Sequence, residues 1–308
     1  MTLLIGALTL GCILGLLSLG VFLSLRICST FDLTVDGTFG FGASVAAALL
    51  VRGVTPLVAT AAAIAAGGAA GIITGLVHTR LHVGAVLAGV LTATALYSVC
   101  LFAMGSGSLS LAGVRSVVWS AERMASMVNL PPQVQLPGGA ASRESLAVLV
   151  IFAFTVLAAA ALLGLFLTTN LGLALRAAGN RPLMAEAVGI NVNAMMILGL
   201  ALSNALAALS GALLAQYEGF ANIQMGAGAL VGGLGGLLVG ESLLGRRTLY
   251  RWIAGVVLGT LAFRLMIAGA VRAGFHPSAL KLVTAALVLA VLVLPSLIAP
   301  RRARLGHA

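Results

Sequence analysis

The chain has 308 residues, 61% of them hydrophobic and 8% charged, with a formal net charge of +10 at pH 7. Soluble domains carry about 25% charged residues, so a soluble fold is excluded, and several apolar runs reach the roughly 18 residues that cross a bilayer as a helix. A membrane barrel would show short alternating segments instead, and none is present. The basic residues, 16 Arg and one Lys, sit mostly in connections between apolar runs. They read as topology signals, not as a nucleic-acid surface.

Leu3–Leu25 is the first predicted span, closed by Arg26. It has no basic n-region and is too long for a signal h-region, so it is expected to be retained. The stretch CSTFDLTVDGTFGFG (28–42) follows and leads into apolar sequence ending near Val51. A helix here would stack Asp32 and Asp36 on one face. Two readings stay open: a broken helix beside a translocation path, or Asp36 capping the helix that follows while Asp32 lies at the interface.

Pro56–Val77 is the next span, with Gly67, Gly71 and Gly75 four apart. His78, Arg80 and His82 make a polar turn; two His at this spacing with no third ligand nearby do not make a metal site. Gly84–Met104 crosses again. Residues 105–143 form a long polar-to-amphipathic loop with Pro131, Pro132 and Pro137, in which Leu111–Met127 is expected to lie as an interfacial helix. Glu144–Thr168 is a span.

Residues 171–193, LGLALRAAGNRPLMAEAVGINVN, are too polar for lipid and too short for a domain. Pro182–Val188 reads as a short helix with Pro182 in its first turn, Asn180 as N-cap and Gly189 as its stop. It is either an ordinary loop or a surface helix offered to another chain. Met195–Ala215 crosses next. Gly228, Gly232, Gly236 and Gly240 then recur every four residues, which predicts a smooth helix face for close packing. Arg264 lies inside an apolar run and is expected to snorkel or to pair, with Glu218 and Glu241 as candidate partners. Ile253–Ala270 and Ala279–Ile298 are the last spans, and RRAR (301–304) closes the chain. Cys12, Cys28 and Cys100 lack the spacing of a disulfide framework or metal site and read as small core residues. No P-loop, H-E-x-x-H or G-x-S-x-G motif is present, so the sequence shows no enzyme signature.

Placing 171–193 and the C-terminus inside puts ten arginines in cytoplasmic segments and five outside, as the positive-inside rule requires. Nine crossings would then put the N-terminus outside, and a re-entrant segment near Asp32–Val51 would make them eight. The predicted fold is therefore an all-α, polytopic membrane helix bundle of 8–9 spans with one or two interrupted or re-entrant segments, residues 1–308 forming one domain. Polar breaks followed by Gly-rich apolar stretches at 28–51 and 216–240 suggest pseudo-repeated halves, as in internally repeated transporters.

Three segments together carry a family resemblance: STFDLTVDGTFGFGASVAA, ALRAAGNRPLMAEAVGINVN and SNALAALSGALLAQYEGF with the Gly-rich stretch after it. They resemble the bacterial ABC-importer permeases for branched-chain amino acids and for sugars such as ribose. Their wording is closest to the branch with mostly unassigned importers, some linked to aromatic amino acids. The resemblance implies a permease subunit of the bacterial inner membrane, paired with a copy of itself or a related permease chain. It also implies ABC ATPase subunits that bind the ATP and Mg, and an extracytoplasmic solute-binding protein. Lipid surrounds such a subunit; no nucleic acid and no cofactor in this chain are implied.

By the same resemblance, Arg176, Arg181, Pro182, Glu186 and Gly189 belong to the ATPase-coupling segment, and Asp32, Thr34 and Asp36 to the pathway. The expected function is uptake of a small solute such as an amino acid by alternating access. The alternative is an ion-coupled secondary transporter using Asp32 and Asp36; a membrane assembly subunit without a path would leave that acidic pair unexplained.

Overall fold

The computed structural model describes residues 2–127, 133–136, 139–274 and 279–298. Helix α1 (Thr2–Phe22) widens into one π turn, Leu23–Ile27. Ser29, with φ of 54°, reverses the chain, and Thr30 N–H donates to the Ser24 carbonyl. The chain folds back into the bundle before α2 (Thr34–Val51) begins. Helices α3 (Pro56–Arg80) and α4 (Ala85–Met104) form a hairpin. At its turn His78 Nδ1 bonds the Val83 carbonyl oxygen, so the His pair is the polar turn expected.

Strand β1 (Ser108–Ser110), helix α5 (Val117–Met127) and the ribbon of β2 (Gln133–Leu136) with β3 (Gly139–Ser142) make up the long connection. The expected helix from Leu111 begins only at Val117 because residues 111–116 form a turn, with Leu111 N–H donating to the Gly219 carbonyl and Val114 N–H to that of Leu111. Pro131, Pro132, Pro137 and the RRAR end lie outside the described residues. Then come α6 (Arg143–Thr168), α7 (Asn170–Asn180), α8 (Pro182–Ala187) and α9 (Val192–Glu218). Strand β4 (Phe220–Asn222) pairs antiparallel with β1. A 3-10 turn, Ile223–Gly226, leads to α10 (Ala229–Leu244), α11 (Leu249–Arg272) and α12 (Leu280–Ile298). Eight helical segments among the described residues are long and apolar enough to cross a membrane, and α12 is a further apolar helix of 19 residues.

Helix α9 is the axis. Against it α1 runs antiparallel, Gly20 facing Ser203 and Gly6 facing Tyr217, and so does α3, Gly67 facing Asn204 and Gly75 facing Ile197. Helix α2 runs parallel: Thr38 meets Asn204 and Gly42 meets Ala208. The second half repeats this arrangement inverted. Helix α10 packs on α1 as α2 packs on α9, α11 on α1 as α3 on α9, and α12 on α10 as α4 on α2. The halves are therefore two copies of one four-helix unit with opposite directions, which is the repeat suggested by the two polar breaks.

Directions fix the ends. Arg26, Arg80, Arg176, Arg181, Arg246, Arg247 and Arg251 share the end that carries α7 and α8, and Arg52, Arg115, Arg123, Arg143 and Arg272 share the other. The richer end is the inner one by the positive-inside rule, and the start of α1 lies at the outer end. Helix α2 runs from the level of Asn204 toward the end opposite α7 and α8.

Small residues let these helices approach closely, but not as one glycine face. Gly236 packs against Thr260 and Gly240 against Gly255, so these two seat α11. Gly228 is instead a turn residue with φ of 85°, and Gly232 faces open space. The four-residue repeat fails as a single seam because α10 starts only at Ala229, one residue past Gly228. Gly67, Gly71 and Gly75 do all meet α9. A Cβ on Gly211 would strike the Phe39 carbonyl oxygen of α2. Gly211→Ala is therefore expected to cost about 1–3 kcal/mol, the scale of overpacking, with Gly232→Ala near neutral; thermal unfolding in detergent measures both.

Cys12, Cys28 and Cys100 are buried and free, as expected of core residues. Gln216 ties the outer connection down: its Nε2 donates to Thr60 Oγ1 at 3.0 Å and its Oε1 accepts from Val117 N–H at 3.0 Å.

Candidate functional site: the mid-membrane break and the inner end

Asn204 lies near the middle of the 27-residue α9, and the chain between α1 and α2 dips to its level. Asp32 there is buried, 3% exposed. Its Oδ2 accepts from Asn204 Nδ2 at 2.6 Å and its Oδ1 from Thr34 N–H at 2.8 Å. Asn204 gives its other amide proton to the Leu200 carbonyl and takes Thr38 Oγ1–H on its Oδ1 at 2.7 Å. The Thr34 hydroxyl meets Thr74 Oγ1 of α3 at 3.0 Å. This network pins the start of α2 between α3 and α9 at mid-depth. Polar groups here have no water to turn to, so each must find a partner in the protein.

Asp32 and Asp36 do not share a helix face. Asp32 precedes α2 and caps its first turn, whereas Asp36 lies inside that turn and reaches another helix. Asp36 Oδ1 accepts from Leu230 N–H at 2.6 Å and Oδ2 from Gly228 N–H at 3.3 Å. It thus caps α10, not α2, and Asp32 is far from any interface. The chain reverses before α2, which starts inside the bundle, and the two carboxyl groups hold the starts of α2 and α10. Helices α2 and α10, of 18 and 16 residues, rise about 27 and 24 Å at 1.5 Å per residue. Each begins inside the bundle. Their starts face one another from opposite directions.

A cavity of about 500 Å³ opens beside this meeting point, lined among others by Asp36, Thr94, Tyr97 and Gln224. Of the three predicted pathway residues only Asp36 reaches it. Thr34 and Asp32 are sealed in the α2–α3–α9 contact and act through the backbone of the break.

At the inner end Arg176, Arg181, Pro182, Glu186 and Gly189 are all exposed on α7 and α8. Asn180 is not the cap of the short helix. It is the last residue of α7, and Arg181 occupies the cap position with φ of −144°. Helix α7 has its own N-cap, Thr169, whose hydroxyl oxygen accepts from Gly172 N–H at 3.2 Å. Gly189, with φ of 85°, does end α8. Helix α7 is anchored by Gly179, where a Cβ would strike the Ile27 carbonyl oxygen. The exposed segment therefore rests directly on the chain reversal that leads to Asp32.

Glu241 does not serve Arg264. It is 7% exposed and pairs with Arg26 at 2.8 Å and Arg246 at 2.7 Å, with Trp252 Nε1–H donating to it at 3.0 Å. Arg264 lines a separate cavity with Gly232, and the charge it feels is that of Glu218.

Inverted halves, and two helices that start inside the bundle beside a largely apolar cavity holding one carboxylate, define a polytopic transport bundle. The chain belongs to the family described as branched-chain amino acid transport system / permease component, whose model matches residues 3–292. It is 33% identical over 288 residues to the tyrosine transport system permease protein of Clostridioides difficile (strain R20291), covering 94% of this chain and 90% of that one. It is 31% identical over 288 residues to an uncharacterized protein, RP368, of Rickettsia prowazekii (strain Madrid E), covering 92% of this chain and 94% of that one. No solved structure matches the chain. The protein is accordingly a multi-pass transport permease.

Proposed function

We propose that the chain is the permease subunit of an ATP-driven importer in the bacterial inner membrane, working with a second permease chain, two ABC ATPase subunits and an extracytoplasmic binding protein. The solute class is an amino acid, and the C. difficile relative supports an aromatic one such as tyrosine. One observation carries the coupling role. Leu183, Met184 and Val188 are 83%, 61% and 75% exposed, outside the membrane-spanning helices. Three large exposed apolar side chains, two on α8 and Val188 just after it, beside the anchored α7, fit the apolar anchor of a partner chain.

Movement of that partner would reach the pathway by contact. Helix α7 presses on Ile27 through Gly179, and Asp32 lies five residues further along the chain. Rocking one inverted half against the other would then open the break alternately to each side.

The test is reconstitution with the partner ATPase and binding protein. Leu183→Asp with Met184→Asp is expected to reduce ATPase co-purification by roughly tenfold or more, the scale of losing a buried anchor, and to abolish uptake while the folded bundle persists. Tyrosine uptake that stops with an uncoupler while ATP stays high would replace this reading with ion coupling through Asp36.

A further inference from the structure

We propose that the cavity at the meeting point of α2 and α10 is a solute half-site that binds the ammonium group of an aromatic amino acid on Asp36 and its ring against Tyr97. The substrate class rests on the importer reading above; the site itself rests on the cavity.

Its volume, about 500 Å³, lies in the range of small-molecule sites. Among the described residues that line it, Asp36 is the single charged one and none is Lys, Arg or His. Its carboxyl oxygens already take the N–H groups of Gly228 and Leu230, yet the residue is half-buried, not sealed. A carboxylate has about four acceptor positions, so two remain for a ligand amine. Tyr97, 51% exposed, and Thr94 stand on α4 across from Gln224 on the α10 side. Tyr97 supplies a flat apolar face and Gln224 an amide donor for a ligand carboxylate, while Thr94, whose hydroxyl proton goes to the Val90 carbonyl at 2.8 Å, offers an acceptor to the ligand amine. A sugar would leave the lone negative charge without a counterpart, and an anion would be repelled by it.

Asp36 also makes the site mechanical. The same carboxyl group holds the start of α10, so an amine bound there shares the acceptor that joins the two inverted halves. Occupancy is then felt at the helix start and not only at the cavity wall.

The test uses the full chain in liposomes, with Cys12, Cys28 and Cys100 replaced by alanine and a single cysteine introduced as Thr94→Cys or Gln224→Cys. Both cysteines are expected to react with a charged, water-soluble methanethiosulfonate. Tyrosine at about twice its Kd should slow labelling roughly threefold. Tyramine, which keeps the amine and lacks the carboxylate, should also protect; the des-amino analogue of tyrosine should not. Asp36→Asn should remove the protection. The analogue comparison needs no change at Asp36, so it decides the matter even if that variant misfolds.

Absence of labelling by the charged reagent would show a lipid-facing wall and end the proposal. Equal protection by the des-amino analogue, or protection by sodium in place of amines, would do the same. No ATPase enters this assay: protected labelling in a chain that cannot recruit an ATPase sinks only the importer reading, whereas ATP-driven uptake without protection sinks only this site.

Discussion

Asp32→Ala is expected to lower the stability of the bundle by about 3 kcal/mol, the scale of removing one member of a buried charge-assisted network. The reason lies in what remains. Asn204 Nδ2 and Thr34 N–H both donate to Asp32, and neither has water within reach. Asp32→Asn does not restore the site, because an amide offers one acceptor oxygen to two donors and sets its own N–H₂ against the other. It should be milder than alanine, at about 1–2 kcal/mol. In a double-mutant cycle, Asn204→Ala should be strongly non-additive with Asp32→Ala, by more than about 1 kcal/mol. Thermal unfolding monitored by size exclusion gives the stabilities. Additive losses would mean that the two residues act separately, and α2 would then need another account of its mid-depth start.

The functional loss should exceed the stability loss. The network sets where α2 begins, and Asp36 lies in its first turn. A start displaced by a single residue turns Asp36 about 100° away from the α10 amides.

Hydropathy made the spans readable from residues alone, because only closed helices satisfy the backbone in lipid. The arginines gave the orientation for the same kind of reason: charge stays at the ends. The inverted repeat was visible as two polar breaks, but its geometry was not, since each break needed the other half to show that both helices start at mid-depth. Asp32 and Asp36 looked like one face of one helix. Spacing cannot say where a helix begins, and two residues of offset separated their partners entirely. Asn204, Thr38 and Thr74 went unseen as a group. A single Asn within an apolar run is a usable signal, and its position in SNALAAL was available. The two Thr were not distinguishable from the many that return a hydroxyl bond to their own helix. Helix α7 was hidden because its apolar stripe, Leu175, Ala178 and Gly179, is short and continues a span with only Thr169 between them. The strap of β1 and β4 pairs Leu109 with Ala221, 112 residues further on, a pairing that no local pattern announces.

Glu241→Ala is expected to be the most damaging single change at the inner end, costing about 3–5 kcal/mol and uncoupling ATP hydrolysis from uptake. Glu241 stands at the end of α10, almost sealed, and receives Arg26 Nε and Nη2 at 2.8 Å each. That bidentate fork joins the end of α1 to the α10–α11 hairpin, one inverted half to the other. Trp252 completes the joint: its Nε1–H reaches Glu241 and its ring meets Phe22 edge-on at 5.0 Å. Losing the carboxylate leaves the Arg26 guanidinium, 26% exposed, without its acceptor in a half-buried setting. The partners should not be equivalent. Arg246, 54% exposed, is screened by water and should cost at most about 1 kcal/mol as Arg246→Ala, whereas Arg26→Ala should fall between that and Glu241→Ala. Thermal unfolding of the three variants orders them, and ATPase activity per solute moved reads the coupling. Because Arg26 and Trp252 also line the cavity against which Arg176 of α7 rests, loosening this joint releases the halves where the proposed ATPase contact would push. An Arg246→Ala effect as large as that of Glu241→Ala would show that surface charge, and not the buried fork, holds the inner end closed.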